Sequence, residues 1–484
     1  MVHTIDNFID AASAAPTGAR YQPVINPATG AVDASAAVSS DTDIDKACNA
    51  AARAFTEWSH STPGQRSHAL LQAAASMDGR RRELIDIECR QTGQPRGFVA
   101  SDDVDAAIDV FRFFAGAARI LTGPTAGEYL PGHTSYVRRE PVGVCAVMVP
   151  FNYPLLMAAW KCAAALATGN TVVLKPSHNT PAAAVALAQL LSEHLPPGAV
   201  NVVLGDRNAV SALVTHPAVR YVAATASTSS GVSIATAALA DVKQLHLGLG
   251  GKSPAIISPD ADIEAATEVV ARAAFANAGQ DCTAASRVIA HRDVHDKVVG
   301  LLREHALALK PGSPDSPDST LGPVATEAQY ERIRAVLAGV EDQADLVYGR
   351  QPRGERGWFL APVVVSGFNA DCTLATTELF GPVVTVEPYD DLVELTSSLN
   401  SGPYGLAASV HTRDHDEAMR AASSLDFGCV WINTHLPLAA EMPHGGFRHS
   451  GFGKDLSMVA LKEFTRVKHV MHAWNDVPAR IARE

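Results

Sequence analysis

Cys282 lies in Phe-Ala-Asn-Ala-Gly-Gln-Asp-Cys-Thr (Phe275 to Thr283), where small neighbours leave room for a carbonyl carbon to approach the sulfur. A thiol there can attack a carbonyl if a helix N-terminus or a bound cation draws its pKa down from about 8.5. The bland alternative is a buried cysteine packing as a small hydrophobe, and the other six cysteines are read that way. Asn152, in Val-Pro-Phe-Asn-Tyr-Pro-Leu (Val149 to Leu155), follows an apolar run; its amide could donate to a developing oxyanion. Taken alone it reads first as a turn residue before Pro154.

Other residues suit a nucleotide. Lys175 and Ser177 follow the apolar run Thr171 to Leu174, where a cation and a hydroxyl could hold ribose or phosphate oxygens. Thr225 to Gly231 sets hydroxyls ahead of a helix whose free N–H groups suit a diphosphate, although ordinary serine N-capping explains them equally well. Leu247 to Gly251 lacks the GxGxxG spacing and leads into Lys-Ser-Pro, so it is not a phosphate loop. Asp102, Asp103, Asp105 and Asp109 enter a helix, with Asp102, Asp105 and Asp109 expected on one face. One or two of them could receive an ammonium group, while a solvated acidic first turn is the plainer account.

Parallel strands alternating with helices would position these groups. Helical spacing marks 43–60, 64–91 and 101–120, the last with Val104, Ile108, Phe111 and Ala115 along one stripe, so the first quarter reads mostly helical. From residue 143 strands and helices alternate: strands 143–149, 171–174, 200–204, 219–223 and 244–247, separated by helices 155–167, 181–195, 209–215 and 231–240. That order predicts an α/β, doubly wound parallel sheet. A second series follows Gly251, with helix 263–276, strand 286–290, helix 294–308 and a proline-broken loop over 311–323. The segment 464–471 alternates as an edge strand that could pair between subunits.

With 484 residues, the chain predicts about two or three domains. Its net charge of -12 leaves it without the basic stripe that nucleic acid requires. Seven cysteines, an odd number without CxxC or Cys/His ligand spacing, fit reduced thiols better than disulfides or a metal site and predict a cytoplasmic protein. No apolar run approaches the ~18 residues of a membrane span.

Together these segments resemble the aldehyde dehydrogenase superfamily over nearly the whole chain, from Asn26-Pro-Ala-Thr-Gly30 to Gly451-Phe-Gly-Lys-Asp455. Val110 to Arg119, Gly127 to Ser135 and Glu441 to Gly446 look most like the 4-aminobutyraldehyde dehydrogenase branch. The resemblance implies an NAD(P)-binding domain (1–122 and 142–248), a catalytic domain (249–440) and an oligomerisation arm (123–141 and 460–484) serving a homodimer or homotetramer. It implies Cys282 as nucleophile, with Asn152 and the Cys282 backbone N–H as oxyanion hole. It further implies that Lys175, Ser177, Ser227, Glu378 and Phe380 contact NAD or NADP, and that Lys161 matches a motif lysine near the site.

Four residues depart from the family pattern. Gly248 replaces the general-base glutamate, His178 the ribose-binding glutamate, Ala226 a glycine, and Phe151 a tryptophan. His178 removes a carboxylate that would repel a 2′-phosphate, so NADP is tolerated more readily, although a neutral imidazole could also hold ribose hydroxyls, and the choice between NAD and NADP stays open. Gly248 predicts slow thioester hydrolysis, since general acid–base help is worth roughly 10²- to 10⁴-fold. The expected activity is oxidation of a small aldehyde, an amino-aldehyde foremost, through a Cys282 thioester. Release would use water activated by another group such as Glu378 or Glu441, or else an amine, which would give an amide or lactam. A catalytically silent nucleotide-binding homologue is the alternative.

Overall fold

The computed structural model describes residues 3–121, 123, 126–352, 356–369 and 372–474. Residues 122 and 475–484, which fall in the expected cofactor domain and oligomerisation arm, lie outside the described residues.

Two sheets carry the molecule. The first has eight strands, and its centre runs Gln244–Gly248, Val219–Thr225, Val144–Met148, Thr171–Lys175 and Val200–Val202, all parallel. Gly451–Phe452 closes one side antiparallel, while Asn7–Ile9 and Ala12–Ala14 close the other. Val144–Met148 and Thr171–Lys175 are buried throughout, as continuous apolar strands with helices on both faces should be. Because parallel strands of one sheet point the same way, Pro150, Lys175, Thr225 and Gly248 all gather at the carboxyl edge. The second sheet has seven strands, ordered Asp345–Tyr348, Val363–Ser366, Val383–Tyr389, Arg287–His291, Pro254–Ile257, Ala407–His411 and Cys429–Ile432; the first is antiparallel to its neighbour and the rest are parallel.

Several expectations are corrected. The N-terminal stretch is not helical before Asp41: five short strands occupy His3 to Ala37. The span 64–91 is two helices, Pro63–Gly79 and Arg81–Thr92, broken at Arg80, which follows the poor helix former Gly79. The stretch 101–120 opens with a π-helical segment, Val99–Asp105, before the α-helix Ala106–Ala118. The predicted stripe still buries Val104, Ile108, Phe111 and Ala115. The terminal strand Thr465–Ala473 pairs along its whole length with His133–Pro141 of the same chain, Gly127–Leu130 lies beyond that, and Thr465–Ala473 remains an edge strand of this three-stranded sheet, so the expected pairing between subunits is not contradicted. No helix of the described residues is long and apolar enough to cross a membrane.

Candidate active site

A cavity of about 1340 Å³ opens where the two sheets meet, lined among others by Asn152, Ser227, Glu378, Phe380 and Cys282. The first sheet supplies Asn152, just past Val144–Met148, and Ser227, the N-cap of helix Thr228–Leu239. The second supplies the Cys282 loop, which follows helix Ile263–Phe275 and a short 3-10 turn. Strained backbone clusters here: Asn277, Ala278, Phe380 and Leu436 all have φ between 50° and 88°, costly for residues with side chains and common at ligand sites.

The two loops are joined directly. Asn152 Nδ2 donates to the Gln280 carbonyl at 2.9 Å, Asn277 Nδ2 donates to the Asn152 carbonyl at 2.6 Å, and Tyr153 Oη donates to Asp281 Oδ2 at 2.8 Å. One Asn152 amide N–H is thereby committed to orientation and the other is left for a substrate oxygen. His435 is buried between Ser409 Oγ and the Thr283 carbonyl, 2.8 Å from each. Burial holds its pKa down at about 4, so the neutral ring must donate Nε2–H to that carbonyl and accept at Nδ1.

Cys282 does not sit at a helix N-terminus. Burial, followed by the nearby charges of Asp281 and Glu378, pushes its thiol well above the ordinary range, so the resting sulfur is protonated. Glu378 accepts from the Gly251 N–H at 3.0 Å, and burial raises its carboxyl to about 7. A side chain on Gly250 would collide with Glu378 Oε2, and one on Gly251 with the Cys282 carbonyl, so the glycine pair lets both functional residues close onto one backbone.

Not every expected residue reaches the cavity. Lys175, Ser177 and His178 cluster at the end of Thr171–Lys175 but are absent from its lining. Burial lowers Lys175 to about 8; burial and then Lys175 keep His178 neutral near pH 7. Lys161 is fully buried on helix Pro154–Ala167 and does not line the cavity; its Nζ lies 2.9 Å from Asp455 Oδ2. Burial works against ionisation of Asp455, but Lys161 and His246 hold its carboxyl below the usual range. Of the candidates for the missing base, Glu441 is exposed and outside the cavity lining, whereas Glu378 is inside. A Cβ placed on Gly248 would meet Thr225 Oγ1 at 3.3 Å, a tight contact, and Asp455 Oδ2 at 3.8 Å, and Gly248 itself is absent from the cavity lining.

The acidic cluster is divided by the π turn. Asp102 and Asp109 line the cavity together with Trp160, whereas Asp105 turns outward onto Arg81 and Asp103 is buried. The expected shared face assumed 100° per residue, which the π turn breaks. Asp455, His435, Asp281 and the Asn277 amide were not singled out from sequence. Each acts on a residue distant in the chain, and the intact local motifs around Cys282 and Gly451 to Asp455 were the one signal pointing to them.

A model of the Aldehyde dehydrogenase family matches residues 14–470. Betaine aldehyde dehydrogenase of Sinorhizobium fredii is 36% identical over 480 residues, covering 98% of each chain. Retinaldehyde dehydrogenase 3 of Rattus norvegicus is 38% identical over 438 residues, covering 88% of this chain and 85% of that protein. Among solved structures, the NAD+ complex of an aldehyde dehydrogenase from Bacillus cereus superimposes with a TM-score of 0.94 at 35% identity, covering 97% of both chains.

Proposed function

Because the chain belongs to the aldehyde dehydrogenase family and so oxidises an aldehyde with NAD or NADP, we propose a finer reading. The substrate is a small amino-aldehyde captured by Cys282, and the thioester is released with help from Glu378 in place of the absent side chain at position 248. The observation that carries the substrate class is the placement of Asp102 and Asp109 on the wall of the cavity that holds Cys282. Two carboxylates and the Trp160 ring suit an ammonium group by charge and by cation–π attraction.

Cys282 Sγ adds to the carbonyl carbon as its proton passes to solvent water; the free N–H of Asn152 and the Cys282 backbone N–H receive the oxyanion. A nicotinamide cofactor held there would supply the acceptor for the hydride that leaves the thiohemiacetal carbon. The residues present fit that cofactor: the N-terminus of Thr228–Leu239, capped by Ser227, faces the cavity, and Glu378 and Phe380 line the same cavity. Lys175 and Ser177 would hold ribose, with His178 supplying a neutral ring beside them. The acyl-thioester then takes water, whose proton passes to Glu378, and the C–S bond breaks to release the acid and the Cys282 thiolate, which takes that proton back. Since the Glu378 carboxyl titrates near 7, hydrolysis should rise as pH passes through that value. Attack by the substrate's own amine, giving a lactam and free thiol, is the second reading, favoured by the lack of a side chain at Gly248.

Incubation with NAD(P) and 4-aminobutanal followed by mass spectrometry separates these outcomes. 4-Aminobutanoate marks hydrolysis and a lactam marks amine release. One equivalent of NADH with an accumulating Cys282 acyl adduct would refute turnover by either route. Gly248→Glu should accelerate hydrolysis by about 10²-fold, at the low end of the general-base range because the neighbouring Asp455 charge keeps the new carboxyl protonated to higher pH. Single-turnover thioester decay checks it, and an unchanged decay rate counts against position 248 as the altered step. Asp102→Asn should raise KM for 4-aminobutanal about tenfold and leave KM for a neutral aldehyde of the same length unchanged; equal effects on both would remove the amino-aldehyde assignment.

A further inference from the structure

Two carboxyl groups sit at the N-terminus of helix Pro154–Ala167, directly after Asn152. Glu88 Oε1 accepts from the Leu155 N–H at 3.0 Å, and Asp103 Oδ1 accepts from the Leu156 N–H at 2.6 Å. The residues are 1% and 3% exposed. They come from separate elements: Glu88 from helix Arg81–Thr92 and Asp103 from the π turn Val99–Asp105, whose preceding residue Asp102 faces the cavity. Glu88 Oε2 meets no donor among the described residues, so a proton held between the two acids is what can satisfy it.

We infer that Glu88 and Asp103 are positioning residues which share one proton, and that this clasp holds the start of helix Pro154–Ala167, and with it Asn152, in register for oxyanion binding. Two buried acids side by side do not both ionise readily, and burial raises both, Asp103 to about 7 and Glu88 well above its usual range. The other titratable groups at the pair are Asp102, which disfavours further ionisation, and Cys89, whose buried thiol is held at about 12. The nearby cations are engaged at the surface, Arg81 by Asp105 and Arg96 by Asp86 and Asp315. Loss of the shared proton sets like charges against each other inside the clasp and loosens the segment carrying Asn152. Because both folded-state values are raised, the pair's contribution to stability is complete below the unfolded values and is lost as pH rises; a first proton leaves as pH passes about 7, and the shared one, held with Glu88, leaves above that.

The inference rests on the oxyanion role of Asn152, so the test includes Asn152→Ala. The NADH burst at saturating NAD(P) and propanal is measured from pH 6 to 10 for the wild type, Glu88→Gln, Asp103→Asn, Glu88→Ala and Asn152→Ala. Glutamine keeps the acceptor for Leu155 and supplies a permanent N–H for Asp103. Ionisation of Cys282 is common to the wild type and the clasp variants and cancels in the ratio of their bursts. The ratio of Glu88→Gln, or of Asp103→Asn should the first not fold, to wild type is expected near one at pH 6 and to rise at least threefold toward the alkaline end of the range. Glu88→Ala should be slower by up to about 10²-fold at every pH, the cost of a misplacement near 1 Å, with cofactor Kd unchanged. A ratio flat within twofold across the range overturns the clasp and leaves two ordinary helix caps. A burst unaffected by Asn152→Ala overturns it through its premise instead.

Discussion

Cys282→Ala is expected to lower aldehyde-dependent NAD(P)H formation by about 10⁴-fold or more, because the sulfur forms the bond from which hydride is expelled and no second nucleophile replaces it. The other cysteines offer no substitute. Cys48, Cys89, Cys145, Cys162 and Cys372 are buried, Cys429 is half-buried, and among the described residues Cys282 is the one cysteine on the cavity wall. Cofactor binding should persist, since the helix start at Ser227 and the wall at Glu378 and Phe380 remain. Because burial and two neighbouring carboxylates keep the thiol protonated and uncharged, the substitution removes no charge, and the variant should keep near wild-type stability. Steady-state assay over a panel of aldehydes, with cofactor titration as control, checks it. A residual rate within tenfold of wild type would end the covalent mechanism.

Asn152→Ala should slow acyl capture by about 10² to 10³-fold, or ~2.7–4 kcal/mol, the cost of one oxyanion donor. The side chain is 8% exposed and fixed by its bond to the Gln280 carbonyl, so its second N–H points without rotational freedom. Asn152→Asp preserves size and exchanges the donor for a negative charge, and it should be at least as slow as alanine. The readout is the amplitude and rate of the NADH burst, which precedes thioester release and is independent of Gly248. A burst of wild-type rate in both variants would move the oxyanion hole elsewhere.

Much of the fold could be read from the chain because its signals are local. Strands such as Thr171–Lys175 are unbroken apolar runs, and the helices between them carry alanine and leucine at regular intervals. The N-terminal strands escaped because three-residue pieces such as His3–Ile5 and Ala12–Ala14 are too short for periodicity to register and owe their form to distant partners. At the site, Cys282, Asn152 and Glu378 stood out through motif resemblance, and the structure brings them to one cavity. Lys161 shares that motif origin but is turned to Asp455, 294 residues away, a contact that no local pattern carries. The division of labour among Asp102, Asp103 and Asp105 depended on a π turn, which propensity does not announce.

The three bonds joining the Asn152 and Asp281 neighbourhoods have a consequence for engineering. Residues from separate sheets, about 125 positions apart, behave as one mechanical part: the Asn277 amide grips the backbone at Asn152 while the Asn152 amide grips the backbone at Gln280. A loop borrowed from a relative to alter selectivity arrives with half of a clamp whose other half stays behind. Transplants should therefore move 149–155 and 275–283 as a matched cassette, and chimaeras exchanging one segment alone should lose more activity than their sequence divergence suggests.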